Sequence, residues 1–354
     1  MISIFDNAGL EVLRKRLKLD PHVIRRLRSR YCRTFEGADL ALESVPETVR
    51  RAVADELSFL ELTQVDVRHS EADGATKLLF TTGRGDAVES VILRIQTGRS
   101  SLCVSSQTGC AGGCLFCATG QLKGVRNLTS AEMLDQVVGA GELLRSEGRR
   151  LRNVVFMGMG EPFHNEDNLY GALEQLRDPG GFHLSERHLL VSTMGIPEGM
   201  RKLSRRFPRI GLAVSLHSVR QDIRDELMPL TRQWPLPELR AAIVERNALH
   251  DQPVMIEVLM LAGVTDTPAD CEALKGWLTG LQVHVNLIPF NAPPGAKNAP
   301  RFRDMPLRAS TPGRIAEILA ELKVAGFKAT RRHSLGSDIQ AACGQLAEEN
   351  IMLT

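Results

Sequence analysis

The sequence predicts an α/β protein: a partial (βα)6 barrel of TIM type, preceded by a small helical unit and a short β extension. Three observations carry this. From about residue 100 the pattern strand, loop, helix repeats, and repeated βα units imply a parallel sheet. The unusual polar residues sit just after the predicted strands, and parallel α/β proteins place their sites at those C-terminal ends, which favours a barrel mouth. The chain has 354 residues, 43% of them hydrophobic, enough for one large catalytic domain and a smaller one.

Residues 1–60 read as a helical accessory domain. "AGLEVLRKRLKL", "PHVIRRLRSRY" and "VPETVRRAVADEL" are charged amphipathic runs, the third with Pro46 near its first turn. Residues 61–96 alternate as strands do in "LTQVDVRH", "TKLLFTT" and "AVESVILRI", with turn clusters at Asp73-Gly74 and Gly83–Gly85. Residues 97–334 form the core. Its strands are expected in "SLCVSS", "NVVFMGM", "HLLVST", "GLAVSL", "VMIEVLML" and "VHVNLIP". Its helices are expected over 129–146, 166–177, 197–206, 220–228, 236–249, 268–279 and 312–324. Thr129-x-x-Glu132 is a capping box that marks the first of them. Residues 335–354 are a C-terminal tail.

Bulk composition excludes several classes. A net charge of +2 is not that of a basic nucleic-acid coat, so any such contact must come from local patches. Aromatics at 5% argue against a stacking platform for single strands. The N-terminus lacks the apolar core and small-residue cleavage site of a signal peptide. The longest apolar stretch, "VMIEVLMLAGV", contains Glu257 and is too short to span a bilayer. Seven cysteines, clustered rather than evenly spaced, indicate a reducing cytoplasm and thiol chemistry.

Four of those cysteines fall within "CVSSQTGCAGGCLFCATG". Cys110, Cys114 and Cys117 form C-x₃-C-x₂-C, with Cys103 upstream on the predicted strand. Structural zinc wants four closed ligands, and the second pair is missing. A four-iron cluster held by three cysteines leaves one iron open to an exogenous ligand. Zinc and other clusters stay open on these grounds alone. Cys32 and Cys271 match no motif and read as core residues.

This triplet after the first strand of a βα domain, with Phe116 before its last cysteine, resembles the radical S-adenosylmethionine superfamily. The resemblance implies a [4Fe-4S] cluster on Cys110, Cys114 and Cys117, with S-adenosylmethionine chelating the open iron. Other strand ends offer partners for that ligand. In "GMGEP", Gly160 permits close backbone approach, and Glu161 can accept a charge-assisted hydrogen bond from the methionyl ammonium. Ser192, Ser215, Leu216, His217 and Asn291 follow at later strand ends. Singly, such residues are ordinary turn or loop residues; gathered at one mouth they describe a ligand site.

"CVSSQTGCAGGCLFCATG", "RNLTSAEM", "VVFMGMGEP", "LAVSLHS", "ELMPL", "HVNLIPFN" and "GSDIQAACGQL" resemble the RlmN/Cfr family of RNA adenosine methyltransferases, over about residues 80–350. The resemblance implies methylation of carbon 2 or carbon 8 of an adenosine, in 23S rRNA or in tRNA, with rRNA favoured. It implies that Cys343 takes a methyl group from one S-adenosylmethionine. A second molecule supplies the radical that removes hydrogen from that methyl, so two are used per turnover. It further implies that Cys103 attacks the sulfur of Cys343 to release the product, leaving a Cys103–Cys343 disulfide, and that Glu89 accepts the ring proton. The spacing from Glu89 to Cys103 is one residue longer than the family pattern. The tail's Gly336-Ser337-Asp338 run looks more like Cfr than RlmN. An electron donor such as flavodoxin or ferredoxin, a thiol reductant and a cytoplasmic location follow from the same resemblance.

Residues 14–33 hold nine Lys and Arg against one Asp, and "RKLSRRFPR" and "KATRRH" are further basic runs. Phosphate contact is expected of the first. Two other classes stay in view. One is a radical enzyme acting on a non-RNA substrate, such as a glycyl-radical activase; the other is a non-catalytic RNA-binding protein with a structural metal.

Overall fold

The computed structural model describes residues 1–95, 98–292 and 300–347. Ten strands share one sheet: β1 (Leu62–His69), β2 (Ala75–Thr82), β3 (Ala87–Arg94), β4 (Ser100–Cys103), β5 (Leu151–Phe156), β6 (Leu189–Thr193), β7 (Gly211–Ser215), β8 (Val254–Met260), β9 (Val283–Pro289) and β10 (Lys328–Arg331). Their spatial order follows the sequence without reversal. β4 to β10 are parallel, and β1 to β4 antiparallel. A doubly wound sheet reverses direction at a switch point, whereas strands laid down in one direction wind towards a barrel. β10 and β1 do not pair with each other, so the barrel is open.

Helices α1 (Asn7–Arg16), α2 (Pro21–Arg28), α3 (Ala38–Leu42) and α4 (Glu47–Glu56) precede the sheet. Asp6 caps α1 by accepting from the Ala8 and Gly9 amides, and Asp20 caps α2 with Pro21 at its first position. The core helices α5 (Ser130–Ser146), α6 (Glu166–Arg177), α7 (Pro197–Arg206), α8 (Gln221–Leu227), α9 (Leu236–Leu249), α10 (Pro268–Leu278) and α11 (Pro312–Val324) connect the parallel strands. The capping box at Thr129 and Glu132 is formed in both directions.

Two elements differ from the sequence reading. α3 is only five residues long and has too few turns to show a period. β10 lies inside the basic run "KATRRH"; as an edge strand it buries only Ala329 and turns charge outward, which hides its alternation. The predicted β extension is continuous with the core, because β3 pairs directly with β4.

The sheet's two faces do different jobs. Leu78, Phe80, Val88, Ile92 and Leu102 face the helices and join the main core. The alternate residues Ala75, Val91 and Cys103 face inward, where Ala341 and Leu346 of the tail pack on them. The tail therefore lies on the inner face of the sheet.

Candidate active site

β4 ends at Cys103, and the chain crosses to the cysteine loop through Ser106 and Gln107, whose amides both donate to the Met159 carbonyl at the end of β5. Gly112 lies between two sulfurs of the triplet. A Cβ there would sit 3.2 Å from Cys110 Sγ, 3.6 Å from Cys114 Sγ and 2.6 Å from Met194 Cε. The Leu115 amide anchors the loop to the Leu227 carbonyl at the end of α8 (3.0 Å). Burial pushes all three thiols above the ordinary range, Cys110 to about 12, and mutual repulsion adds to it. Such a set becomes a thiolate set only when a positive centre compensates it. Among the described residues no three His, Cys, Asp or Glu side chains converge on a single-ion site. Soft sulfur donors, three in number and held around a glycine cradle, fit a four-iron cluster with one open iron.

Beside this loop the strand ends enclose a chamber of about 130 Å³ that gathers Cys117, Ser192, Ser215, His217, Asn291 and Cys343. His217 is in the left-handed region (φ 58°) and its ring meets Phe116 edge-on at 4.8 Å. Its Nδ1 accepts the Leu259 amide (3.2 Å), and burial lowers its pKa to about 3, so the imidazole is neutral with Nε2–H free to donate. Asn291 Nδ2 donates to the Cys343 carbonyl (3.3 Å) and to Ser334 Oγ (3.2 Å), tying the sixth strand end to the tail.

A second chamber of about 90 Å³ adjoins the first and contains Cys103, Cys117 and Cys343 together with Thr119 and Arg332. The tail is stitched over it: the Ala118 amide donates to Gly344 O (2.8 Å), and Thr119 Oγ1 to Leu346 O (2.6 Å). Burial pushes the Cys103 thiol up to about 12; proximity to Cys343 adds to the rise and Arg332 opposes it. Arg332 stands 3.6 Å from the buried Glu257 and contacts Met157 Sδ at 3.5 Å.

Gly160, Glu161, Leu216 and Glu89 line neither chamber. Gly160 (φ 103°) is demanded by packing, since a Cβ there would lie 2.7 Å from Gln107 Cβ. Glu161 is buried, its two oxygens accepting the Phe163 (3.0 Å) and Met194 (2.7 Å) amides. Each oxygen keeps a further lone pair for another donor. The Leu216 side chain is fully buried in the apolar core. Glu89 is fully buried and takes Lys77 Nζ at 2.8 Å. Val91 is directly opposite Cys103, so Glu89, two residues away, shares the inner face with that thiol.

Arg332, Glu257 and Lys77 were missed as site residues. Glu257 announced itself as one charge in an apolar strand, and Arg332 was merged into a basic run. Arg224 was also missed: it is fully buried beneath the loop, donates to the Met194 carbonyl, and its Nε and Nη1 have no hydrogen-bond partner among the described residues. Cys32 and Cys271 are buried, as expected of core residues. A cavity of about 750 Å³ lies elsewhere and contains none of the predicted cluster, cofactor or catalytic residues, though Arg33 of the first basic run lines it.

The basic runs are less free than their sequence suggests. In the first, Arg14, Arg16, Arg28 and Arg30 are paired with Glu11, Glu56, Asp178 and Glu36. In the second, Arg201, Lys202, Arg206 and Arg209 are paired with Glu245, Glu166, Glu174 and Glu186. Glu11 and Glu36 flank the first run, whereas Glu56, Asp178 and the partners of the second run lie far along the chain, where a local count cannot see them.

An open parallel barrel with a half-buried cysteine triplet at its mouth defines the class of radical S-adenosylmethionine enzymes, and residues 104–270 match the Radical SAM superfamily. A solved radical SAM methyltransferase from Sphaerobacter thermophilus superimposes with a TM-score of 0.87 at 35% identity, covering 98% of this chain and 99% of that one. A probable RNA methyltransferase from Rhodopirellula baltica is 47% identical over 98% of this chain and 88% of its own length. A probable dual-specificity RNA methyltransferase RlmN from Moorella thermoacetica is 39% identical over 95% and 94%. The chain belongs to the RlmN/Cfr family of radical S-adenosylmethionine RNA methyltransferases. Its cofactors are one [4Fe-4S] cluster and S-adenosylmethionine, used twice per turnover.

Proposed function

We propose that this protein methylates a ring carbon, carbon 2 or carbon 8, of an adenosine in RNA, with 23S rRNA as the favoured substrate. The observation that carries this reading is the meeting of Cys103, Cys343 and Cys117 in one chamber, although they come from the first core strand, the tail and the cysteine loop. The printed names of the relatives, RNA methyltransferases, support the substrate class.

Cys110, Cys114 and Cys117 hold the cluster, which, when loaded, supplies the electron that makes S-adenosylmethionine a radical source. Gly112 leaves room for it between the sulfurs. Glu161, Ser192, Ser215, His217 and Asn291 orient S-adenosylmethionine, with Gly160 and the backbone at Leu216 shaping the strand ends. Cys343 carries the methyl group on sulfur, poised at the border of the two chambers. After that methyl loses a hydrogen atom, its carbon bonds to the electron-poor ring and joins Cys343 to RNA through a thioether. Glu89 takes the ring proton, and the adduct's odd electron would return to the iron–sulfur site that gave one up, which restores the aromatic ring. Cys103, as thiolate, then attacks Cys343 Sγ; the sulfur–carbon bond breaks, its electron pair leaves with carbon, that carbon takes up a proton to complete the methyl group, and a Cys103–Cys343 disulfide forms. Arg332 faces both sulfurs and favours the anionic form of the attacking thiol. A thiol reductant returns two electrons to the disulfide, and a small electron-transfer protein feeds the cluster.

Residues 1–60 act as an RNA-contacting accessory domain, residues 61–96 as a β extension, 97–334 as the radical core and 335–354 as the carrier tail. Lys18, Arg25, Arg26 and Arg33, which are not in the ion pairs above, are the contacts we assign to the first run. The target base leaves its stack to reach the mouth. Seven unpaired thiols accord with a reducing cytoplasm, and no described helix is long and apolar enough to cross a membrane.

The test is mass mapping of adenosines in total RNA from cells with and without the gene. One methyladenosine in 23S rRNA should disappear on deletion. Loss from no RNA would contradict the proposal.

A further inference from the structure

A cavity of about 750 Å³ lies at the end of the barrel away from the mouth. It is lined by Leu151, the first residue of β5, while Met157, just past the last, lines the chambers of the active site. Six residues of strand separate them, roughly 20 Å at the rise of an extended chain. One wall comes from the turn after α2, with Arg33 and Phe35; the other from the end of α5 and the loop before β6, with Arg145, Arg149, Arg150 and His183. A second cavity of about 520 Å³ shares Arg150 and His183 and adds Arg99 and Arg152. Together they form one groove.

Three features set this groove apart from an ordinary solvated basic face. Among the described residues no Asp or Glu lines either cavity. The neighbouring acids have their short ion pairs elsewhere: Glu36 holds Arg30, Glu147 holds Arg94, and Glu186 holds Arg177; of the groove's arginines Arg149 alone reaches one of them, its Nε 4.0 Å from Glu147. Arg33, Arg145, Arg150 and Arg152 make no ion pair among the described residues, and Arg149 Nη1 is buried without a hydrogen-bond partner. Four such guanidinium groups, Arg33, Arg145, Arg150 and Arg152, along a concave wall concentrate positive potential.

The walls are also strained and specifically built. Phe35 (φ 52°) and His183 (φ 57°) both occupy the left-handed region, which a bulky residue adopts only when its surroundings enforce it. Phe35 lies flat on Gly141 in the middle of α5; a Cβ there would fall 2.3 Å from the ring. A glycine in a helix interior costs helix stability. Here it admits the aromatic wall of the groove.

We propose that this groove is a second RNA-contact site, holding the phosphodiester backbone of the substrate remote from the target adenine. The proposal rests on the reading that the substrate is RNA. A single small anion would use one part of the groove; guanidinium groups distributed from Arg33 across to Arg152 suit a chain of phosphates. A small target stem-loop held at the mouth would not span to the base, whereas a large folded RNA can.

The test uses the reconstituted full chain and two probes. One is protein-free 23S rRNA from cells lacking the gene; the other is a short stem-loop carrying the target adenosine. Arg145→Gln/Arg150→Gln should bind 23S rRNA at least tenfold more weakly and flatten the log–log salt dependence by about 1–2. Its methylation of the stem-loop should stay within twofold of the parent. Arg145→Glu/Arg150→Glu should enlarge the first effect and leave the second unchanged. Undiminished 23S rRNA affinity, or equal loss on both probes, would overturn the groove while leaving the RNA reading intact. Competition by polyglutamate as strong as that by RNA of equal charge would reassign it to an acidic protein. A parent enzyme that methylates neither probe sinks both the RNA reading and the groove.

Discussion

Replacing Gly336 by Ala should unseat the tail that carries Cys343 without touching the cysteine itself. Gly336 is in the left-handed region (φ 77°), and a Cβ there would lie 2.9 Å from both Ala341 Cβ and Ala75 Cβ. Its amide donates to Asp73 Oδ2 (2.8 Å) and its carbonyl accepts the Ala341 amide (2.7 Å). Asp338 accepts from Ser70 Oγ (2.8 Å) on the same turn. The left-handed penalty of about 1–2 kcal/mol and an overpacking cost of about 1–3 kcal/mol sum to about 2–5 kcal/mol. Because the tail is a local unit, that cost falls mainly on its docking equilibrium, shifting it towards the undocked form by roughly 30-fold to several thousand-fold. Hydrogen exchange reads this directly. Peptides covering 338–346 should exchange much faster in Gly336→Ala, those covering α5 should not change, and methylation should fall with tail occupancy. Parent-like protection of the tail, or equal loss of protection in α5, would refute the reasoning.

Other perturbations have signed outcomes. Cys114→Ala should abolish iron loading while the folded chain keeps its far-UV circular dichroism; retained iron would remove Cys114 from the ligand set. Lys77→Met removes the lysine from a buried carboxylate, so it should cost about 3–5 kcal/mol in urea melts, with part recovered in Lys77→Met/Glu89→Gln; a near-neutral single variant would contradict an energetic role for the buried pair. Asp135 is 1% exposed, holds the Glu61 and Leu62 amides, and is raised to about 7 by burial. A raised folded pKa contributes stability below the ordinary pKa of 3.8 and loses it as pH rises through about 7. Relative to Asp135→Asn, the parent should therefore lose up to about 4 kcal/mol between pH 4 and pH 8; parallel pH profiles would show that Asp135 does not titrate in this window.

The parallel core was legible because each strand is a short apolar run closed by a turn and followed by a helical period, and because strand ends collected polar residues. The cysteine triplet, Ser192, Ser215, His217 and Asn291 were visible for that reason, and the structure brings Cys117 and the latter four together with Cys343. Gly160 also has a packing role that its sequence context does not show, since Gln107 fills the space a Cβ would take. Arg332 is hidden in the sequence because adjacent residues at one strand end have opposite fates: Arg331, the last of β10, is exposed, and Arg332, just past it, turns to the chambers. The cationic count of residues 14–33 misled because ion-pair partners such as Asp178 lie far along the chain. Long-range pairing of this kind has no local period, and a reading along one sequence does not recover it.

The most direct test of the two-cysteine account is the Cys103→Ala enzyme, incubated anaerobically with substrate RNA, an electron source and S-adenosylmethionine. It keeps the carrier Cys343 and lacks the thiol that releases the adduct. Protein joined covalently to RNA should accumulate, seen as a nuclease-sensitive shift on a denaturing gel, with the linkage at Cys343 by peptide mass. Cys343→Ala should give neither adduct nor product. Normal turnover by Cys103→Ala, or identical dead enzymes without adduct, would contradict the account.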